Sequence, residues 1–95
     1  MALVLVDAEN VRRSLWPNLA RDELERLAAA WGEREGHDVR VVWEPADDRI
    51  AAESEALAAA GTPFWVATSD RGLRARIHGA ERVVGGGSFA RGLRP

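Results

Sequence analysis

Residues Ala2–Val6 form an unbroken apolar run, Ala-Leu-Val-Leu-Val, that stops on the carboxylate of Asp7. A half-wet antiparallel strand would alternate apolar with polar residues. A continuous run of this length instead suits a strand buried on both faces, the usual state of a strand in a parallel sheet. Parallel pairing demands crossovers, so helices are expected between the strands that follow.

The remaining pattern supplies them. Leu24, Leu27, Ala28 and Trp31 recur at helical spacing, Asp22 and Glu23 suit the positive end of that helix, and Gly32 or Gly36 ends it. Val39–Trp43 reads as the second strand, with Pro45 barring its continuation as a central ladder. Asp47–Ala60 reads as a long helix stopped by Gly61-Thr62-Pro63, Phe64–Thr68 as the third strand, and Asp70–Gly79 as a third helix. Arg82–Val84 makes a short fourth strand before a Gly85-Gly86-Gly87 turn into Ser88–Leu93. The expected fold is a single α/β domain over residues 1–95, a three-layer α/β/α sandwich around a small, parallel, four-stranded sheet.

Composition removes several chemistries. All thirteen basic residues are arginine, so mechanisms that need an amine are excluded, among them the phosphate-binding GK[ST] loop and Schiff-base catalysis. Cysteine is absent, which excludes thiol catalysis, disulfides and thiolate-bound zinc and is compatible with a reducing, cytoplasmic setting. The apolar run at the start is far shorter than the roughly 20 residues that span a bilayer, so no membrane association is expected. Net charge is −2, and any nucleic-acid affinity must therefore come from a local patch.

Ligands of open α/β sheets bind beyond the carboxyl ends of the strands. Acids stand at three such ends: Asp7 after the first strand, Glu44 with Asp47 and Asp48 after the second, and Asp70 after the third, preceded by Thr68 and Ser69. Carboxylates on one rim repel each other and raise each other's pKa values, a cost that a bound cation relieves. An all-oxygen set suits Mg²⁺ or Mn²⁺. Simpler roles are open to all but one of these residues: Asp47 and Asp48 as first-turn helix charges, Ser69 or Asp70 as a helix cap, Glu44 as a solvated loop acid, whereas Asp7, after a central buried strand, is costly without a partner.

Three ordered segments carry a family resemblance: Leu5-Val6-Asp7-Ala8-Glu9-Asn10-Val11, then Ala46-Asp47-Asp48-Arg49-Ile50, then Thr68-Ser69-Asp70-Arg71. Together with Trp16-Pro17-Asn18-Leu19 and Gly85-Gly86-Gly87-Ser88-Phe89, the chain resembles the NYN branch of the PIN-like nuclease domains, close to the YacP-like proteins. The resemblance implies a metal-dependent endoribonuclease of PIN-like fold, with Asp7, Asp47 and Asp70 as metal ligands and Asn10, Asp48 and Ser69 in support. Members of the family commonly read Asp-Gly-Tyr-Asn where this chain has Asp7-Ala8-Glu9-Asn10. They usually carry a Phe-Asp-Gly segment and a further strand where only Glu44 and Pro45 separate Trp43 from Ala46 here. Val39–Trp43 is thereby expected to become a sheet edge, which favours pairing with a second copy as a homodimer.

Charge is unevenly divided. Residues 71–95 hold six arginines against Glu81 alone, a net of +5, whereas residues 1–70 carry −7. Arg71 and Arg74, extended along the rim by Arg12 and Arg13, are the candidate RNA-backbone contacts, with His78 on the same helical face. The plainer reading is a solvated, arginine-rich helix face. Trp31, Trp43 and Trp65 fall at core positions, whereas Trp16 leaves open a base-stacking role. His37 reads as a solvated turn residue. The Gly85–Ala90 match to a dinucleotide fingerprint lacks a following strand and acid, and reads as a turn capped by Ser88. A non-catalytic RNA-binding or protein-interaction module on a degenerate PIN-like fold is the alternative to a ribonuclease.

Overall fold

A computed structural model describes residues 1–94. Strand β1 (Leu3–Asp7) leads directly into α1 (Ala8–Arg12), followed by α2 (Arg21–Glu35), β2 (Asp38–Val42), α3 (Asp47–Ala59) and β3 (Phe64–Ala67). The chain continues through α4 (Arg71–Ala75), β4 (Arg82–Val84) and α5 (Gly86–Gly92). The four strands form one all-parallel sheet in the order β2-β1-β3-β4, which leaves β2 as an edge.

The expectation for β1 follows through to packing. Val4, Leu5 and Val6 are wholly buried at the centre of the sheet, each contributing about 1.5–3 kcal/mol of apolar burial. Their alternation divides the core. Val4 and Val6 join a cluster with Val11, Leu24, Ala28 and Phe89, whereas Leu5 joins Ile50, Phe64, Val66 and Leu73 in a second cluster. Trp31, Trp43 and Trp65 pack at the margin of the first cluster. The indole N–H of Trp43 donates to Glu25 at 2.7 Å and that of Trp65 to Glu81 at 2.9 Å, so each ring has its polar edge satisfied.

Helix α2 ends at Gly36, whose φ of 75° is the left-handed cap conformation. Gly32 stays inside the helix for a different reason: a Cβ there would stand 2.7 Å from Val39 Cγ2 and 2.8 Å from the His37 carbonyl, so glycine lets α2 lie against β2. At the other end, Glu23 reaches back to accept from the Ala20 N–H at 3.4 Å.

Four local expectations are corrected. The helix expected over 70–79 is only α4; the chain leaves it at Arg76 through a turn, in which the Ile77 N–H donates to the Arg74 carbonyl at 3.2 Å, and Ile77 is buried from the irregular segment that follows. His78 therefore does not share a helical face with Arg71 and Arg74. The glycine turn is the start of α5, with Gly85 at its N-cap and no side-chain cap from Ser88. His37 is half-buried rather than solvated: its Nδ1 accepts from the Ala2 N–H at 3.0 Å, and its ring stacks on Trp31 at 5.6 Å and meets Trp65 at 4.5 Å. Helix α1 carries no apolar periodicity, and the sequence pattern does not predict it. Among the described residues no helix is long and apolar enough to cross a membrane.

Candidate functional site

Strand register sets the level of the site. Asp7 pairs with Val42 across β1–β2 and Val6 with Ala67 across β1–β3, so the next residues of all three strands emerge at one rim. The Thr68 N–H donates to the Val84 carbonyl at 2.9 Å and draws the end of β4 to the same level.

Asp7 is 5% exposed. It occupies the N-cap position of α1, yet its carboxylate does not cap that helix. Its Oδ2 instead accepts from the Thr68 hydroxyl at 2.7 Å. Thr68 is wholly buried and its Oγ1 in turn accepts from the Asp70 N–H at 3.1 Å. Asp70 Oδ1 caps α4 by accepting from the Leu73 N–H at 2.9 Å. One buried hydroxyl thus ties the acid after β1 to the acid after β3.

A second set of contacts runs beside it. Asn10 Oδ1 accepts from the Ser69 N–H at 2.8 Å, and Ser69 Oγ accepts from the Gly86 N–H at 2.7 Å. A Cβ on Gly86 would lie 2.7 Å from Ser14 Oγ and would also strike Asn10, so a glycine is required for α5 to close against α1. Asn10 and Ser69 therefore lock three chain segments around the rim.

The enclosed space is an open cavity of about 390 Å³. Asp7, Glu44, Asp47 and Asp70 line it, together with Glu9, Asn10, Arg13 and Ser14. None of those first four carboxylates forms an ion pair among the described residues. Burial pushes the Asp7 carboxyl above the usual aspartate range; the Thr68 hydrogen bond opposes this, and the charges of Asp47, Asp70 and Glu44 add to it. Sequence-remote acids therefore do converge electrostatically on Asp7.

They do not form a ready-made cage. Among the described residues, no three His, Cys or acidic side chains stand close enough together to hold an ion as placed. The donor chemistry nevertheless fits a hard cation, because all four groups are oxygen donors without a cationic partner, and Mg²⁺ keeps much of its water and needs only one or two protein carboxylates.

Other expected site residues lie elsewhere. Asp48 points away from this cavity and pairs with Arg76 at 2.9 Å, its side chain almost fully exposed. Arg12 is mostly covered, donating to Glu9 at 3.0 Å and to the Leu19 carbonyl at 3.2 Å. Arg13 reaches the cavity but pairs with Glu9 at 2.9 Å. Arg71 and Arg74 are exposed on α4, and Arg74 contacts the Thr68 carbonyl at 3.5 Å.

Two contributors escaped the sequence reading. Thr68 was visible beside Ser69 and Asp70, but nothing in the chain marks its hydroxyl as the bridge to Asp7. Glu9 is 4% exposed and gathers Arg12, Arg13 and Arg21, at 3.0, 2.9 and 3.3 Å. Its i+3 and i+4 arginines were the available signal. Comparison with protein-family models, with curated proteins and with solved structures gives no match.

Proposed function

We propose that this chain is a metal-dependent endoribonuclease of the cytoplasm, built on a three-layer, PIN-like α/β/α domain of the NYN branch near the YacP-like proteins. The reading rests chiefly on one observation: four carboxylates without ion-pair partners face one cavity at the carboxyl ends of parallel strands, and the most buried of them is Asp7. Such a cavity repels anions by itself, so it suits a phosphodiester only when a cation is present.

Asp7, Asp47 and Asp70 would hold Mg²⁺ or Mn²⁺, with Glu44 as a further oxygen donor. Bound there, the ion would supply charge for the phosphate and lower the pKa of a water. The chain's own part is positional. Thr68 orients the Asp7 carboxylate through its hydroxyl, while Asn10 and Ser69 keep the loop before α4 and the start of α5 in register with α1. Asp48, paired with Arg76, would act from outside the cavity by holding the start of α3.

The test is a titration of purified protein with Mg²⁺ and Mn²⁺ against mixed RNA substrates, with Asp7→Asn alongside. Metal-dependent cleavage lost in the variant supports the proposal. RNA binding without cleavage would favour the second reading, a non-catalytic RNA-binding module, for which the arginine-rich segment after residue 70 speaks. Arg71 and Arg74 bear on both readings. Replacing both by Gln should weaken binding to unrelated single strands and reduce the slope of log affinity against log salt by about 1.4, about 0.7 per lost phosphate contact. An unchanged slope would leave them as a solvated face.

The β2 edge supports a proposal of self-association. Its backbone is unpaired on one side, and Arg40, tied to Glu53 at 2.7 Å, is the main charged guard along it. A two-fold dimer is expected, with a molar mass that rises with concentration in light scattering. A monomeric mass at high micromolar protein would rule it out.

A further inference from the structure

Trp16 has no role in folding that its surroundings reveal. It is 90% exposed, while the other three tryptophans pack against the core. The segment that carries it is nevertheless fixed at both ends. Ser14 Oγ donates to the Asn10 carbonyl at 2.5 Å, and Leu15 packs on the first core cluster. Leu19 is buried, its N–H donating to the Arg12 carbonyl at 3.0 Å and its own carbonyl accepting from Arg12 Nη1 at 3.2 Å. Leu15 and Leu19 thus anchor a loop whose intervening indole faces water. The anchored backbone presents the ring at a fixed place, so little loop freedom is left to lose on binding.

The ground beside the ring is apolar and basic. Trp16 and Pro17 border a groove of about 230 Å³ whose far wall is Ala90, Arg91 and Arg94 of α5 and its end; no acidic residue lines it. Arg94 is partly engaged by Glu23 at 3.2 Å, but Arg91 forms no ion pair among the described residues and only touches Ser88 Oγ at 3.4 Å. This volume is smaller than the roughly 300–1,000 Å³ of sites that enclose a small-molecule ligand, and one planar ring against an indole needs no enclosure.

The groove and the acidic cavity lie next to each other on the same two elements of chain, although no residue lines both. Ser14, two residues before Trp16, lines that cavity, and α5 begins against Ser14 and Asn10 before its later residues reach the groove. The geometry points to Trp16 as a stacking platform for a base of single-stranded RNA, with Arg91 on the adjoining phosphate, so that the strand leads from this groove toward the carboxylates. The inference rests on the RNA-directed reading above and adds to it the state of the substrate: a base must be unpaired to lie on an exposed indole. An unspecific preference follows, because every base presents a π face.

The test measures binding of a short, fluorescein-labelled single-stranded RNA to the whole chain by anisotropy, in Ca²⁺ with Mg²⁺ and Mn²⁺ withheld, so that the carboxylates have a counter-ion while cleavage is suppressed. Trp16→Ala should weaken binding by about five- to hundredfold, the effect of one base–aromatic stack, and Trp16→Phe should restore most of it. The same oligomer with abasic sites should bind the unaltered protein more weakly, and Trp16→Ala should no longer distinguish the two strands. Equal affinity of Trp16→Ala and the unaltered chain would overturn the platform, as would an equal loss on the abasic strand or a failure of the unaltered chain to bind RNA. A fall in molar mass on Trp16→Ala without RNA, with RNA affinity unchanged, would overturn it by assigning the groove to a second copy. Trp16-dependent binding by a chain that never cleaves would sink the catalytic reading and leave the platform standing.

Discussion

Under the proposed ribonuclease function, replacing Asp7 by Asn is expected to abolish metal-dependent RNA cleavage, and on the structure alone it is expected to make the protein harder to unfold. The two effects have one origin. Asp7 is buried, faces three other acids, and has a single neutral hydrogen-bond partner in Thr68. An amide keeps the shape and still offers Thr68 an acceptor, so the packing of β1 is undisturbed, while the buried charge and its repulsion disappear. The stabilisation should be on the order of 0.5–2 kcal/mol at neutral pH, the usual gain of a single stabilising substitution. Cleavage should then fall below about one-hundredth of the original, since the direct ligand proposed for Asp7 would matter more than outer partners whose loss costs about 10–100-fold. Chemical denaturation and a cleavage assay with Mg²⁺ or Mn²⁺ check both halves. A variant that retains cleavage, or one that is strongly destabilised, would contradict this assignment.

The sign of the pH dependence gives an independent readout. Burial, with the neighbouring acids, raises the Asp7 pKa in the folded protein above its unfolded value. Between the two values the folded state binds more protons than the unfolded state, so stability falls as pH rises through that window and stays lower above it. Asp7→Asn should remove this falling component from the pH profile. Added Mg²⁺ or Mn²⁺ should offset it in the unaltered protein by binding the folded state, raising Tm with ion concentration, and should do so far less in the variant.

The acids of this rim were legible because a parallel sheet converts strand order into spatial convergence. Once Ala2–Val6 is read as a doubly buried strand, the residues after β1, β2 and β3 have to share one edge, whatever their separation in the chain. Which way each side chain turns was not legible. Asp47 and Asp48 are neighbours in sequence, yet successive helical positions differ by about 100°, and one lines the cavity while the other meets Arg76. Local propensity also failed where a long-range contact decides. Gly86 and Gly87 are poor helix formers, but α5 forms because the missing Cβ lets it settle on Asn10 and Ser14. Helix α1 is too short to show periodicity and is specified by what it delivers, Glu9 and Asn10 on one side and Val11 in the core. The expected helix beyond Ala75 is replaced by a turn and irregular chain because burial of Ile77 is a tertiary matter, indifferent to the i, i+4 spacing that links it to Leu73.

Glu9 provides the second large expectation, this time in stability with opposite pH behaviour. Its buried carboxylate is the common partner of three arginines, of which Arg12 is itself mostly covered, whereas Arg13 and Arg21 are largely exposed. The Arg12 hydrogen bond, against the opposing effect of burial and with the charges of Arg12, Arg13 and Arg21, holds the Glu9 carboxyl below the usual glutamate range. Glu9→Gln keeps the volume but leaves the Arg12 guanidinium without its counter-charge. The expected cost at neutral pH is about 2 kcal/mol, nearly all from the Arg12 contact, because exposed pairs such as those of Arg13 and Arg21 add only about 0–1 kcal/mol. For a domain of this size that lowers Tm by roughly 8–16 °C. A carboxyl with a depressed folded pKa contributes stability that is present above its unfolded value and is lost as pH falls toward and through the folded one. The gap between Glu9→Gln and the unaltered chain should therefore be widest near neutrality and narrow in acid, the reverse of the Asp7 pattern. Thermal unfolding at both pH values measures this, and a gap independent of pH would show that shape, not charge, is what Glu9 provides. Its loss should reach the cavity as well, since Glu9 and Asn10 share α1, and Arg13, freed from Glu9, would be left beside the unpartnered carboxylates of the rim.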